Sequence, residues 1–139
     1  MGSELLNAMQ ISAMGMRAQG ERIRVITENV ANADTAAGTP NEDPYRRQVI
    51  TFKNELDRKK GINLVEVDQI SEDRKTDFPV KFMPDHPGAD ANGNVKLPNV
   101  DMMIEIMDAR EAQRSYEANL GMIEQSRSMM LRTIDMLRN

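Results

Sequence analysis

The chain has no cysteine, no tryptophan, one histidine and only three phenylalanines. Each shortage excludes something. Without cysteine there is no disulfide framework, no thiolate nucleophile and no cysteine-ligated zinc, and the chain suits an oxidising compartment as well as a reducing one. With aromatics at 4% and hydrophobic residues at 40% of 139 residues, bulky core formers are scarce for a domain of this length. A net charge of −4, with both signs interspersed, leaves no basic face for a phosphate backbone, so no nucleic acid is expected as a partner. Near the start, Gln10, Arg17, Gln19, Glu21 and Arg22 interrupt every apolar run. The pattern predicts neither a Sec-type signal nor a membrane span.

What the chain does have is two stretches of helical periodicity. Residues 99–139 hold no proline and a single glycine, Gly121. Alternate steps of four and three residues from Met102 reach Ile106, Ala109, Gln113, Tyr116, Leu120, Ile123, Arg127, Met130, Ile134 and Leu137, all apolar except Gln113 and Arg127. That is the spacing of a coiled-coil seam. Met122, Met129 and Met136 widen the stripe, as a helix with more than one neighbour requires. The same stepping from Leu5 gives Met9, Ser12, Met16, Gln19, Ile23, Ile26 and Val30, a second amphipathic helix. Gly15 and Gly20 weaken it by about 1 kcal/mol each relative to alanine, and each is a candidate point of close backbone approach. Asn29, Asn32 and Asp34 predict its end near Ala33.

Between the helices, residues 36–44 form an exposed loop around Pro40 and Pro44. Residues 45–53 and 62–70 are extended and flank the charged turn 57–61, predicting a β-hairpin. Residues 71–77 are a charged loop. Pro79 confines any strand at 78–82 to a sheet edge. Residues 84–98 are too rich in proline and glycine to be regular and are expected to run as an extended connector, with Asn99 or Asp101 capping the last helix. The expected fold is mainly α with a small β part: long N- and C-terminal helices packed as a coiled coil, with a β-hairpin and extended loops inserted. The expected segments are an N-terminal helix in 1–35, a hairpin and connector in 36–98, and a C-terminal helix in 99–139.

Candidate chemistry is sparse. His86 has no second histidine and no cysteine to join it, which makes poor material for a metal site or a general base. Residues 90–94 resemble a calcium loop, yet the glycine comes two residues early and position twelve is Asp101 in place of glutamate; a tight turn is the better reading. Alternation along a strand sends Arg46 and Arg47 to opposite faces, where carboxylate pairing across a protein interface explains them as well as anion binding does. The methionines fall mostly on the helical stripes, as adaptable packing. No catalytic residue, cofactor or metal ligand is expected. A two-helix hairpin with one widened stripe leaves apolar surface uncovered, which favours an interaction protein over an enzyme.

Five motifs carry more: Asn29-Val30-Ala31-Asn32-Ala33-Asp34-Thr35, Pro44-Tyr45-Arg46-Arg47, the run from Asp85-His86-Pro87-Gly88 to Asn92-Gly93, Pro98-Asn99-Val100, and Ser115-Tyr116-Glu117-Ala118-Asn119. In this order, across nearly the whole chain, they resemble the bacterial flagellar basal-body rod proteins, within the wider family of flagellar rod and hook proteins. The resemblance implies a structural subunit of the proximal rod, with terminal helices lining a hollow shaft that crosses the periplasm and allows export. It implies export through the flagellar type III apparatus without a cleaved signal peptide. The implied partners are copies of the chain, other proximal and distal rod proteins, and the adaptor protein joining the export gate to the MS ring. Expected subunit contacts are Leu5, Met9, Met16, Ile23, Ile26 and Val30 on the first helix, Arg46 and Arg47, and Ile106, Tyr116, Leu120, Met122, Ile123, Met129, Met130, Ile134, Met136 and Leu137 on the second. A soluble two-helix adaptor or regulatory module is the alternative, and a metal-dependent hydrolase using His86 a distant third.

Overall fold

The computed structural model describes residues 2–139. Met1, the first residue of the expected segment 1–35, lies outside the described residues. The elements are α1 (Gly2–Ala31), β1 (Gln48–Asp57), β2 (Ile62–Glu72), β3 (Val80–Phe82), β4 (Asn94–Lys96) and α2 (Met102–Arg138). The architecture is the expected one, two long helices with a small β part between them.

Local chemistry sets the element ends. The Asn32 N–H and its side-chain amide both donate to the Glu28 carbonyl, at 3.1 and 2.8 Å, closing the last turn of α1 just before the expected stop. At the start of α2, Asp101 is the cap, its Oδ1 accepting the Met103 N–H at 2.9 Å. Strands β1 and β2 pair as a hairpin. Its turn is held by Asp57 Oδ1, which accepts from the Lys59 and Lys60 N–H groups, and by Gly61, whose φ of 67° lies in the left-handed region.

The expected edge strand is present as β3, but its partner β4 lies inside the segment expected to be irregular. Val80, Lys81 and Phe82 pair antiparallel with Lys96, Val95 and Asn94. Pro84 and Pro87 fall in the connecting turns and Pro98 follows the strand, so none removes a donor from the ladder. Gly93, at φ 80°, admits the reversal, and Asp90 Oδ1 accepts the N–H groups of Asn92 and Asn94, each at 2.9 Å. Residues 90–94 are thus a turn.

The chain forms two compact units. The first combines the residues up to Ile23 with Thr51–Gln69 and Arg110–Asn139. Here α1 and α2 run antiparallel: Arg22 pairs with Glu111 at 3.5 Å, while Gly15, earlier on α1, meets Asn119, later on α2. A Cβ on Gly15 would stand 2.7 Å from Asn119 Nδ2, so this glycine is a close-approach point; Gly20 has open space around it and is not. Ala18, Leu64 and Ala112 are buried, as are Ser12 and Ser126. Arg24–Ile50 and Ile70–Ala109 make up the second unit, where Val25, Ile26 and Val95 are buried together with Asn29, Asn99 and Glu105.

The expected seam of α2 needs correction. Ala112, Asn119 and Ser126, seven residues apart, are its covered face, whereas Tyr116, Leu120, Ile134 and Leu137 are exposed and only Ile123 and Met130 of that stripe are half-buried beyond residue 110. Small side chains opposite a glycine let two helix backbones approach closely, and the bulkier row one position over is turned out of that contact.

These contacts make the two glycines diverge under substitution. Gly20→Ala is expected to raise stability by up to about 1 kcal/mol, because the methyl is added without a clash. Gly15→Ala is expected to gain nothing or to destabilise. Urea unfolding followed by far-UV circular dichroism measures both.

Candidate functional site

Two features stand out from the residues upward: a buried polar clasp in the second unit and an uncovered apolar face along α2.

The clasp is built by two asparagines acting as substitute backbone. Asn29, on the last turns of α1, donates from Nδ2 to the Gln48 carbonyl and accepts the Gln48 N–H on Oδ1, both at 2.9 Å, so its amide extends the edge of β1. The Tyr45 hydroxyl donates to the same Oδ1 at 2.8 Å. Asn99 does the same for the loops, accepting the Arg47 N–H at 2.6 Å and donating to the carbonyls of Asp73 and Thr76 at 3.0 and 3.1 Å. Asn99 therefore does not cap α2. Glu105, fully buried, joins the two halves: its Oε1 takes the Arg47 Nε at 2.5 Å and its Oε2 takes Asn29 Nδ2 at 3.4 Å. Arg47 also lies 3.6 Å from Asp108 and 3.8 Å from Asp73.

Arg46 and Arg47 precede β1, so strand alternation does not govern them. Arg46 Nη1 reaches the Asp73 carbonyl at 3.3 Å, its Nη2 pairs with Asp43 at 3.4 Å, and its guanidinium lies 4.5 Å above the Phe78 ring. Both guanidinium groups thus meet partners inside the unit.

Proton affinities follow the packing. Burial first, then the charges of Glu28 and Glu105, raises the Tyr45 hydroxyl above its ordinary value. The Thr76 hydroxyl bond holds Asp73 below the usual carboxylate range against the opposing effect of burial, helped by the Thr76 and Lys75 N–H groups and by Arg47. His86 Nδ1 accepts the Gly88 N–H at 2.9 Å inside the turn. Among the described residues no cluster of three or more histidine or acidic side chains is placed to hold a metal, and no helix is long and apolar enough to cross a membrane.

The residues expected at subunit contacts divide by helix. On α1, Leu5, Met9, Met16 and Ile23 are half-buried and Ile26 is buried, with Val30 exposed. On α2, Ile106, Tyr116, Leu120, Met122, Met129, Ile134, Met136 and Leu137 are exposed, joined by Met103, Met107 and Leu131, which the sequence pattern did not single out. Sequence reasoning also missed Asn29, Asn99, Glu105 and Asn119 as contact residues. A signal existed in the recurrence of small or polar residues at Glu105, Ala112, Asn119 and Ser126, seven apart.

A helix with an uncovered apolar face, in a chain whose buried Asn29, Asn99 and Glu105 are paired internally, has the anatomy of a subunit. The comparisons with known proteins agree. The family model described as flagellar basal body rod FlgEFG protein C-terminal matches residues 91–136, which take in β4 and nearly all of α2. A flagellar basal-body rod protein FlgC from Agrobacterium fabrum is 46% identical over 131 residues, 94% of both chains. The chain belongs to the FlgC family of flagellar basal-body rod proteins. Two further FlgC proteins match: that of Salmonella typhimurium is 37% identical over 94% of this chain and 96% of its own, and that of Bacillus subtilis 31% over 93% and 95%. Membership of the FlgC family makes this chain a structural rod component of the flagellar basal body, and the adaptor reading gives way to it.

Removing one side of the clasp leaves a buried charge. Arg47→Ala is expected to destabilise the chain by about 3–5 kcal/mol by stranding Glu105, and simultaneous Glu105→Gln to recover part of the loss; a double-mutant cycle in urea measures both. The Asp73 carboxyl titrates lower folded than unfolded. It therefore contributes stability above about pH 4 that is lost as pH falls through the depressed folded value. Asp73→Asn should flatten that acid limb of the stability profile.

Proposed function

We propose that this chain is a subunit of the proximal rod, assembling helically with copies of itself and with other rod proteins into a hollow shaft that transmits torque and admits exported flagellar proteins. The observation that carries this reading is the orientation of α2. Its small and polar row faces α1 in the first unit, and its apolar row, with Leu120 39% exposed, is left for other chains. A row of methionine beside leucine and isoleucine suits neighbours that differ in sequence, since the unbranched thioether adapts to several shapes. Met122, Met129 and Met136 are proposed to face the helices of adjacent subunits. Because Arg46 and Arg47 already have partners within the chain, the apolar face rather than these guanidinium groups dominates the proposed contacts.

The finer placement belongs to the same proposal. The rod crosses the periplasm, the chain reaches it through the flagellar type III apparatus, and its neighbours include the other proximal and distal rod proteins and the adaptor at the export gate and MS ring. No catalytic, cofactor or metal-binding role is assigned to any residue.

Leu120 separates this proposal from a monomeric function. A carboxylate at an exposed position costs the free chain little, whereas at a buried interface it costs several kcal/mol unpaired. Leu120→Asp is expected to leave the unfolding midpoint of the monomer nearly unchanged while abolishing rod assembly and motility. Normal swimming of cells carrying that variant would refute the proposed role of the face.

A further inference from the structure

The first unit contains a cavity of about 370 Å³ between α1 and β2, lined by Met14, Arg17, Ala18 and Glu21 on the helix and by Val65, Glu66 and Val67 on the strand. Its lining is mixed: Met14, Ala18, Val65 and Val67 are apolar, while Arg17, Glu21 and Glu66 are charged. The volume is that of a pocket holding a compact apolar group with a few polar anchors.

Two features of the chain select an occupant. The last turns of α2 are the most exposed apolar helix in the molecule, with Ile134 at 53% and Leu137 at 84% exposure. Ile134, Leu137 and Arg138 fall at spacings of three and four, hence on one face, and Arg138 is exposed. Charge supplies the second feature. Glu66 stands beside Glu55, whose side-chain hydrogen bond and charge raise its proton affinity, partly offset by Lys53 and Arg17. Two neighbouring carboxyls favour the arrival of a further cation.

We propose that this cavity receives Ile134 and Leu137 from the last turns of α2 of a second copy of the chain, with Arg138 set against Glu66. The cavity cannot take its own tail. Gly15, at the same level of α1, lies against Asn119, and α2 continues unbroken from there to Leu137, about 27 Å further along a straight helix. The contact therefore joins unlike surfaces of two copies, the head-to-tail arrangement that propagates where a two-fold contact would close. It rests on the rod-subunit reading and names which surfaces of two copies meet within it.

The absence of cysteine makes the test clean. Two differently tagged full-length variants, Val67→Cys and Leu137→Cys, are produced in the same cells, and basal bodies are isolated and oxidised. A disulfide joining the two tags is expected. Its yield should fall about fivefold when Glu66→Lys is added to the first variant, and recover when Arg138→Glu is added to the second. Basal bodies containing both variants without the disulfide overturn the contact and leave the rod reading standing. Absence of the unmodified chain from basal bodies overturns both. Should either cysteine variant fail to assemble, motility decides: Glu66→Lys and Arg138→Glu should each impair swimming and restore it together, and failure of that rescue overturns the contact.

Discussion

The rest of the second unit depends on one buried carboxylate. Glu105 is wholly removed from water on the first turns of α2, and such a charge is tolerated only when paired and hydrogen-bonded. Arg47 supplies the charge and Asn29 the amide, which obliges the end of α1, the entry to β1 and the start of α2 to come together at one point. Asn29 and Asn99 then supply hydrogen bonds to backbone groups at Gln48, the first residue of β1, and in the 73–76 turn. A polar network of this kind is specific in a way an apolar cluster is not. A shift of one residue strands several donors and acceptors at once.

The distribution of polarity is the reverse of the usual monomer. Side chains covered within the chain include serine, asparagine, glutamate and alanine, and the bulky aliphatic row of α2 is outside. For a free protein this would be a liability, since contiguous exposed apolar surface promotes association. For a rod component, association is the function, and the role proposed for this face is to drive assembly. Gly15 against Asn119 shows one such contact: the Asn119 side-chain amide of α2 occupies the space that a side chain on Gly15 of α1 would need.

Much of the fold was legible in the sequence because it is local. Helical periodicity placed both helices to within a few residues, Asp57 to Gly61 placed the hairpin turn, and Asp101 was readable as a cap, since each rests on contacts between residues near in sequence. Strand β4 was not legible. Three residues among prolines carry no periodicity, and only pairing with β3 makes Asn94–Lys96 a strand. The motifs from Asn29 to Thr35 and from Pro44 to Arg47 identified the family without revealing why those residues stand there.

What the sequence determined by itself is the set of amphipathic faces: it fixes, through the spacing of three and four, which side chains of α2 lie together in a row. Which row turns inward was decided only by the tertiary structure. Apolarity alone favoured Tyr116 and Leu120, but the inward row is Ala112, Asn119 and Ser126 in the first unit and Glu105 in the second. The physical reason is that facing a partner is a property of the pair. Gly15 makes room on the other helix for a small residue at close range, and Arg47 and Asn29, distant in sequence, make a buried Glu105 favourable where no local rule predicts it.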